Sequence, residues 1–337
     1  MKRRWKAAWF AVAGMAFGLS AGAVGAQEIR WDMSTEYGET TITARADKIF
    51  AERLKENSGG RMVVTVHYGG ALGFRSLDHW AAVEDGAVPL ASSYGGVFTG
   101  IDPIFLLTSM PFLAKDPVEA RSLLQASWEQ YQEAFARSNQ VLLFSEPFVP
   151  GGIWSRNAVR TPEDLKGLRV RTFDANGTRV FTDVGSSPVQ MTWSDVVTGL
   201  ATGAVDAVLA GISPGLAGSF PEHIKHYNEV GYVMGSALVH MNRDVFEGLS
   251  DEFKKILMDT ARQVEDEVWA NVVEELKGDV GRAQAAGVTV DLEPQPELVK
   301  VLKDASAPVL EEWKAKMPAG VADGILERYR KILAEKQ

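Results

Sequence analysis

Two runs of alternating strand-like and helix-like segments constrain the fold more than any other feature of this sequence. Residues 28–34 alternate apolar and polar side chains as a strand does, and residues 40–57 carry apolar residues at helical spacing. Strands that alternate with helices favour a parallel sheet covered by helices. The first run therefore predicts an α/β unit, and it continues with further segments at 62–67, 76–84, 88–93, 117–138 and 141–145.

A cluster of residues that interrupt regular backbone structure separates the second run from the first. Pro147, Pro150, Gly151 and Gly152 lie close together, and prolines and glycines at this density end strands and helices. We therefore predict two α/β lobes with parallel-rich sheets flanked by helices, joined by a hinge near residues 147–152. The segments of the second run are 168–171, 176–184, 189–191, 194–202 and 205–209.

A long amphipathic segment connects the two predicted lobes. Residues 251–286 keep apolar side chains on one helical face. Such a helix is about 54 Å long, whereas a lobe of about 150 residues has a radius of gyration of only about 15 Å. The helix therefore runs along both lobes or bends near Gly278 and Gly281, and a helical pair within one lobe is the alternative. The predicted lobes comprise residues 27–149 with about 236–276, and residues 150–235 with about 277–337.

Composition excludes several classes of function. The chain of 337 residues has no cysteine, so disulfides, thiolate zinc sites, iron–sulfur clusters and cysteine nucleophiles are excluded. Its 44 acidic residues exceed its 35 basic ones, which gives a net charge of −9 without any basic tract. Because phosphate contacts need clustered lysine and arginine, we predict no nucleic-acid partner. No motif indicates a cofactor, and we predict no metal site.

The first 26 residues have the features of a secretory signal peptide. The basic sequence Lys2-Arg3-Arg4 precedes an apolar segment at 7–19, and Val24-Gly25-Ala26 supplies small residues for cleavage before Gln27. A retained membrane anchor is the alternative, although the apolar segment is short for a membrane span. The sequence therefore predicts a periplasmic protein.

One motif suggests an enzyme. The sequence Gly211-Ile212-Ser213-Pro214-Gly215 matches the G-x-S-x-G turn of serine hydrolases and follows a predicted strand. In that mechanism the residue after the serine donates its backbone N–H to the oxyanion, but Pro214 has no N–H to donate. We interpret Ser213 instead as a helix N-cap with proline at the first helical position. The protein is predicted not to be an enzyme, and a secreted enzyme on a similar scaffold is the alternative.

An arginine at the end of a predicted strand is the main candidate for ligand binding. The sequence Lys166-Gly167 leads into the strand at 168–171, which ends at Arg171. In open α/β sheets ligands bind at the carboxyl ends of strands, and a guanidinium offers a carboxylate two parallel hydrogen bonds. The alternative is a salt bridge between the lobes or on the surface. Arg169 comes earlier in the strand and is predicted to be solvated.

Two stretches of the sequence resemble the extracytoplasmic solute-binding proteins of TRAP transporters, the DctP-type family. They are DLKGLRVR at 164–171 and GSSPVQMTWSDVVTGLATGAVDAV at 185–208, and a weaker similarity extends over the rest of the chain after residue 26. The resemblance implies two α/β lobes that close over a small organic anion. It also implies delivery of that anion to the TRAP membrane permease subunits, with no cofactor.

The resemblance further implies which residues contact the ligand. Arg171 matches the arginine that binds the ligand carboxylate, and Trp193 matches the aromatic residue that packs on the ligand. Polar contacts are expected after the first strand, near Ser34, and at the end of the third strand. Aromatic residues near the matched positions add apolar surface. The predicted ligand-binding residues are Arg171, Trp193, Ser34, Ser92, Tyr94, Phe173 and Trp154.

The chain departs from the family pattern at polar positions. Leu209-Ala210-Gly211 occupies a place where many relatives carry an asparagine. Sialic-acid-binding relatives carry a second arginine in the strand after the hinge, and this chain has Gly151 at about that position. These departures favour a monocarboxylate with an apolar or aromatic body over sugar acids and C4-dicarboxylates. An organosulfonate ligand, a dicarboxylate ligand and a sensor subunit that presents its ligand to a receptor are the alternatives. The protein is predicted to be a monomer.

Overall fold

The computed structural model describes residues 28–336, so the predicted signal peptide at residues 1–26 lies outside the described residues. The strands are β1 (Ile29–Thr35), β2 (Met62–His67), β3 (Leu90–Tyr94), β4 (Gln140–Pro147), β5 (Gly151–Ser155), β6 (Val170–Thr172), β7 (Val189–Gln190), β8 (Ala207–Gly211), β9 (His226–Asn228), β10 (Ser236–Asn242) and β11 (Thr289–Asp291). The helices are α1 (Ile42–Asn57), α2 (Ser76–Glu84), α3 (Pro117–Ala136), α4 (Ala175–Asp183), α5 (Val196–Thr202), α6 (Ile212–Ala217), α7 (Arg243–Glu247), α8 (Asp251–Ala285), α9 (Pro296–Lys316) and α10 (Val321–Glu335).

These strands form two separate mixed sheets. The first has the order β2-β1-β3-β10-β4, in which β2, β1 and β3 are parallel and β10 is antiparallel to both of its neighbours. The second has the order β11-β9-β5-β8-β6-β7, in which β8, β6 and β7 are parallel and β5 is antiparallel to β8 and β9. Two sheets flanked by helices confirm the predicted α/β class.

Two neighbouring segments, which we call the paired crossings, lead the chain from one sheet to the other: residues 147–151, between β4 and β5, and residues 229–235, between β9 and β10. A third crossing, from β10 to β11, is made by α8. The backbone N–H of Phe148 donates to the carbonyl of Gly235 at 3.1 Å, and that of Gly151 donates to the carbonyl of Val233 at 2.8 Å. The segment predicted as a hinge is therefore one of two crossings that are hydrogen-bonded to each other.

Helix α8 runs along elements of both sheets. Its 35 residues begin after Ser250, whose side chain caps the helix, and continue without interruption through Gly278 and Gly281. It packs against α1 and β4 beside the first sheet, and against α6 and β11 beside the second. The predicted long helix therefore extends along both sheets without a break at the two glycines.

The two C-terminal helices pack on different sheets. α9 packs against α4 beside the second sheet, whereas α10 packs against α3 beside the first. The Oη of Tyr329 in α10 also donates to the carbonyl of Leu113 at 3.3 Å. The lobe boundaries stay a prediction. They assign α10 to the second lobe, whereas its apolar face, with Ile325 and Leu326 buried, covers α3 beside the first sheet.

The serine of the hydrolase-like motif lies inside a helix. α6 begins at Ile212 with Gly211 as its N-cap, so the predicted N-cap role of Ser213 is wrong. Ser213 is buried and makes no hydrogen bond to a histidine within residues 28–336. In that same range, every helix is too short or too polar to cross a bilayer.

Candidate ligand-binding site

A cavity of about 370 Å³ lies between the two sheets. Its walls come from residues that follow the carboxyl ends of β1 and β3, from β6 to β8 and the residues after them, and from the paired crossings. Ligands of α/β proteins bind beyond the carboxyl ends of strands, and small-molecule sites have volumes of about 300–1,000 Å³. The cavity therefore has the position and size of a site for a small molecule.

Arg171 places a buried cation in this cavity. It is the central residue of β6 and is 5% exposed. Its Nε donates to the carbonyl of Met191 at 3.0 Å, and Nη1 lies 3.5 Å from the carbonyl of Leu209. Burial lowers the pKa of Arg171 to about 10, so the side chain is still charged at neutral pH. Among the described residues it has no carboxylate partner, and Nη2 has no protein acceptor.

Two aromatic rings flank this guanidinium. Its central carbon lies 5.8 Å from the ring centroid of Phe173 and 5.7 Å from that of Trp193. A cation over the face of an aromatic ring is attracted by the ring quadrupole. Phe173 and Trp193 therefore restrict the position of the guanidinium while leaving Nη2 without a protein partner.

Three further rings form what we call the aromatic wall: Tyr37, Tyr94 and Phe148. Phe148 packs edge to face against Tyr37 at 5.5 Å and against Tyr94 at 5.7 Å, measured between ring centroids. Tyr94 also contacts Phe173 at 5.4 Å, and Tyr37 lies 6.3 Å from Trp193. Residues from both sheets thus give the cavity a largely apolar surface.

Glu36 is the only acidic residue that lines the cavity within the described part of the chain. It is 9% exposed, and its Oε1 accepts a hydrogen bond from Ser76 Oγ. Its Oε2 is buried without a partner, as is the Oη of Tyr94. Burial raises the pKa of Glu36, and the Ser76 hydroxyl and the charge of Arg171 oppose that shift. Because an unpartnered buried polar atom is costly, these atoms favour a ligand with hydrogen-bonding groups.

A second cation lies at the mouth of the cavity. Arg75, at the start of α2, places Nη1 3.4 Å from Asp195 Oδ2, and about half of each side chain is exposed. Thr192 Oγ1 donates to the same carboxylate oxygen at 2.6 Å. Arg75 is therefore paired with a carboxylate of the protein itself, unlike Arg171.

Comparison with known proteins identifies the family. Residues 33–316 match the family described as bacterial extracellular solute-binding protein, family 7 (DctP). The chain belongs to this DctP family. Its members are the substrate-binding receptors of TRAP transporters and not enzymes, which confirms the predicted family and receptor role. They bind small organic ligands outside the cytoplasm and work with membrane permease subunits.

Three similar proteins agree with this assignment. The 2,3-diketo-L-gulonate-binding periplasmic protein of Escherichia coli K12 is 28% identical over 282 residues, which are 83% of this chain and 85% of that protein. A solute-binding protein of Verminephrobacter eiseniae is 30% identical over 245 residues, or 72% of each chain. The crystal structure of a TRAP solute-binding protein specific for pyroglutamate, from an unidentified marine microbe, gives a TM-score of 0.85 at 26% identity, covering 90% of this chain and 99% of that one.

Four of the seven binding residues predicted from the sequence line the cavity of this DctP protein: Arg171, Trp193, Tyr94 and Phe173. Their contact with a ligand stays a prediction. Ser34 and Ser92 do not line the cavity, because both are fully buried, Ser34 against a histidine of α2 and Ser92 against a carboxyl group of β4. Ser34 Oγ lies 3.0 Å from His79 Nε2, and Ser92 Oγ donates to Glu146 Oε2 at 2.8 Å.

Trp154 also lies away from the cavity. Side chains alternate between the two faces of a strand, so Gly151 faces the cavity from β5 while Trp154 points to the opposite face. There Trp154 is fully buried, packs against Phe220 and Tyr227, and donates Nε1–H to the carbonyl of Gly211 at 3.1 Å. It belongs to the core of the second sheet.

The sequence prediction missed Glu36, Tyr37 and Phe148. The first two directly follow β1, so the rule that ligands bind beyond strand ends could have found them. Phe148 lies in the proline- and glycine-rich segment, which the sequence identified only as a hinge. The described residues contain no group of three or more histidines or acidic residues arranged to bind a metal.

Proposed function

We propose that this DctP protein is the receptor for a small monocarboxylate that carries an N–H group on a compact, largely apolar body. One observation supports this proposal above all others. Arg171 and Glu36 line the same cavity and are buried, and neither Arg171 Nη2 nor Glu36 Oε2 has a partner among the described residues. A ligand that carries both an anion and a hydrogen-bond donor satisfies both residues at once.

The carboxylate of the ligand pairs with Arg171. Because Nε and one N–H of Nη1 face backbone carbonyls, the two N–H groups of Nη2 and the second N–H of Nη1 are left for the ligand. Charge-assisted hydrogen bonds of this kind are stronger than neutral ones, and exclusion of water strengthens them further. A sulfonate offers the same oxygens and stays an alternative.

The N–H group of the ligand donates to the carboxylate of Glu36, which lines the cavity. A monocarboxylate without a donor leaves this carboxylate with an unpartnered oxygen, which costs about 1–3 kcal/mol. A dicarboxylate is less favourable, because Glu36 would repel its second charge and Arg75 is already paired with Asp195. The charges that line the cavity therefore favour one negative group and one donor.

The rest of the cavity matches a ring more closely than a sugar chain. The aromatic wall offers flat apolar surface, and Ala210, Gly211 and Gly151 contribute no side-chain hydrogen-bonding group. A polyhydroxylated sugar acid would leave hydroxyl groups unpaired against these residues. The ligand of the marine relative, pyroglutamate, combines a carboxylate with a ring N–H. We propose that the protein works as a periplasmic monomer that delivers such a ligand to its permease.

A matched ligand pair tests this proposal. Pyroglutamate and its lactone analogue, in which a ring oxygen replaces the N–H, differ by the proposed donor alone. We expect the wild-type protein to bind pyroglutamate more tightly by about 5- to 150-fold, the affinity equivalent of one unpartnered buried acceptor. Calorimetry measures the ratio of the two affinities. A thermal-shift screen then tests whether glutarate and alkyl sulfonates also bind, because a bound ligand raises the melting temperature.

Glu36→Ala is expected to remove the preference for the N–H ligand, because it deletes the acceptor. The two affinities should then agree within about a factor of three. Glu39→Ala is the matched control, since Glu39 lies in the same segment but is exposed and 3.9 Å from Lys48. A wild-type preference that persists in Glu36→Ala contradicts the role of Glu36, and equal affinity of the wild type for both ligands contradicts the proposed ligand class.

A further inference from the structure

Two carboxyl groups lie together in a fully buried site behind the cavity. Asp47 on α1 and Glu146 near the end of β4 are both 0% exposed and contact each other through their carboxyl groups. Ser92 Oγ donates to Glu146 Oε2 at 2.8 Å. The other three oxygens of the pair accept no hydrogen bond of good geometry, although the hydroxyl groups of Ser92 and Thr35 lie beside Asp47. Neither residue forms an ion pair within residues 28–336, so the pair has hydroxyl groups but no cation to compensate two buried charges.

A proton held between the two groups resolves this arrangement. A protonated carboxyl donates to its neighbour, so it supplies a partner for an oxygen that otherwise has none. Two carboxylates in contact also repel each other too strongly for both to be ionised. Burial raises the pKa of Asp47 to about 7, and burial together with Asp47 raises that of Glu146 above its usual range.

The pair lies directly behind the aromatic wall. Glu146 and its donor Ser92 each precede a residue of the wall by two positions, Phe148 and Tyr94 respectively. The remaining wall residue, Tyr37, follows the end of β1, and its backbone N–H lies 3.4 Å from Thr35 Oγ1. The three wall residues therefore extend from strand ends that surround the carboxyl pair.

We propose that Asp47 and Glu146 are positioning residues that share a proton and hold the aromatic wall in its ligand-binding arrangement. Loss of this proton places two negative charges in a dry site and displaces the wall. Ligand affinity then falls as the pH rises, a regulation that rests on the proposed function. The hydrogen bond itself does not depend on the identity of the ligand.

The neighbouring charged groups do not neutralise the pair. Tyr37 and Tyr94 of the aromatic wall, together with Tyr68, are the tyrosines nearest the pair on the cavity side. Burial raises the pKa of Tyr68 to about 12 and those of Tyr37 and Tyr94 well above 10. On the opposite side, α8 contributes Glu265, bonded to Ser145, and Glu275, paired with Arg45 of α1. None of these tyrosines loses its proton between pH 6 and pH 9, and Arg45 is already paired.

The sign of the pH effect follows from the raised pKa values. The folded protein keeps a proton that the unfolded chain releases near the ordinary carboxyl pKa of about 4. The free energy of unfolding therefore falls as the pH rises from about 4 through about 7, the folded pKa of Asp47. Burial raises the pKa of Glu146 further and extends this loss to higher pH.

The test compares the wild type, without its signal peptide, with Asp47→Asn and Glu146→Gln. In either variant the amide donates to the remaining carboxylate without a titrating proton, so the hydrogen bond survives at high pH. Glu52→Gln, which changes an exposed residue of α1, is the control. Two measurements are made without ligand at pH 6 and pH 9: urea unfolding gives the change in stability that follows loss of the proton, and near-ultraviolet circular dichroism reports the packing of the aromatic side chains. Calorimetry with pyroglutamate then reports the affinity.

We expect the wild type and the control to lose stability, aromatic ellipticity and about tenfold in affinity between pH 6 and pH 9, and both amide variants to lose much less. A wild-type pH dependence of unfolding in the amide variants overturns the shared proton. Altered unfolding with an unchanged aromatic signal overturns the positioning role. If no form binds pyroglutamate, the proposed ligand class fails, and the two ligand-free measurements still decide the present proposal.

Discussion

Arg171→Ala is expected to weaken carboxylate binding by about 10²–10⁴-fold, the effect of leaving a desolvated carboxylate without its cation. The size of the effect follows from the surroundings of the side chain. Arg171 is 5% exposed, has no carboxylate partner among the described residues, and lies between the rings of Phe173 and Trp193. Calorimetry with pyroglutamate measures the loss, and a thermal melt verifies that the variant is folded.

Arg169→Ala is the matched control for this experiment. Arg169 lies two residues earlier, is exposed, and donates two hydrogen bonds to Asp206 at 2.7 and 2.8 Å. Its removal deletes the same charge from the same segment without reaching the cavity, so affinity should stay close to that of the wild type. Near-wild-type affinity in Arg171→Ala, or an equal loss in both variants, would remove Arg171 from the site.

Trp154→Ala is expected to lower the free energy of unfolding by about 3–5 kcal/mol, the usual cost of truncating a buried tryptophan. Trp154 is fully buried against Phe220 and Tyr227, and a Cβ added to Gly215 would lie only 2.4 Å from its ring. Such close packing leaves the surrounding residues little freedom to fill the resulting space. Urea unfolding of the ligand-free protein measures the change.

Trp193→Ala is the comparison variant, which separates a loss of ligand binding from a loss of stability. Trp193 is half-buried at the cavity, so its truncation should cost only about 1 kcal/mol of stability. It should instead weaken pyroglutamate binding by about 10- to 100-fold through the lost apolar contact. If Trp154→Ala instead keeps its stability but no longer binds pyroglutamate, Trp154 belongs to the ligand site after all.

Local patterns in the sequence were sufficient to predict the α/β architecture and an arginine that lines the cavity, whereas contact of Arg171 with a ligand stays a prediction. The alternation of strands and helices gave the two sheets, and the prolines and glycines near residue 150 marked one of the paired crossings. Arg171 is predicted to be the last residue of its strand, whereas β6 continues to Thr172; it still lies beside the carboxyl end of the strand, a recurring place for ligands. Each of these inferences needed only residues that are close together in the chain.

The errors arose where the partner of a side chain is distant in sequence. Ser34 pairs with His79, 45 positions away, and Ser93 beside Ser92 pairs with His240, 147 positions away. These hydroxyl groups already have hydrogen-bond partners in a buried polar network that joins several strands of the first sheet. The resemblance to the DctP-type family implies polar contacts near Ser34 and Ser92 from their positions in the strands, and position in a strand does not distinguish such a serine from one that faces a ligand.

The paired crossings restrict how the two halves of the molecule can move. Their mutual hydrogen bonds, together with α8 packed along both sheets, hold the sheets together at this side of the cavity. At the mouth of the cavity, by contrast, the exposed ion pair of Arg75 and Asp195 would have to break for the cavity to open there. A bound solute would accordingly leave from the edge that carries this exposed ion pair, where dissolved salt weakens the attraction.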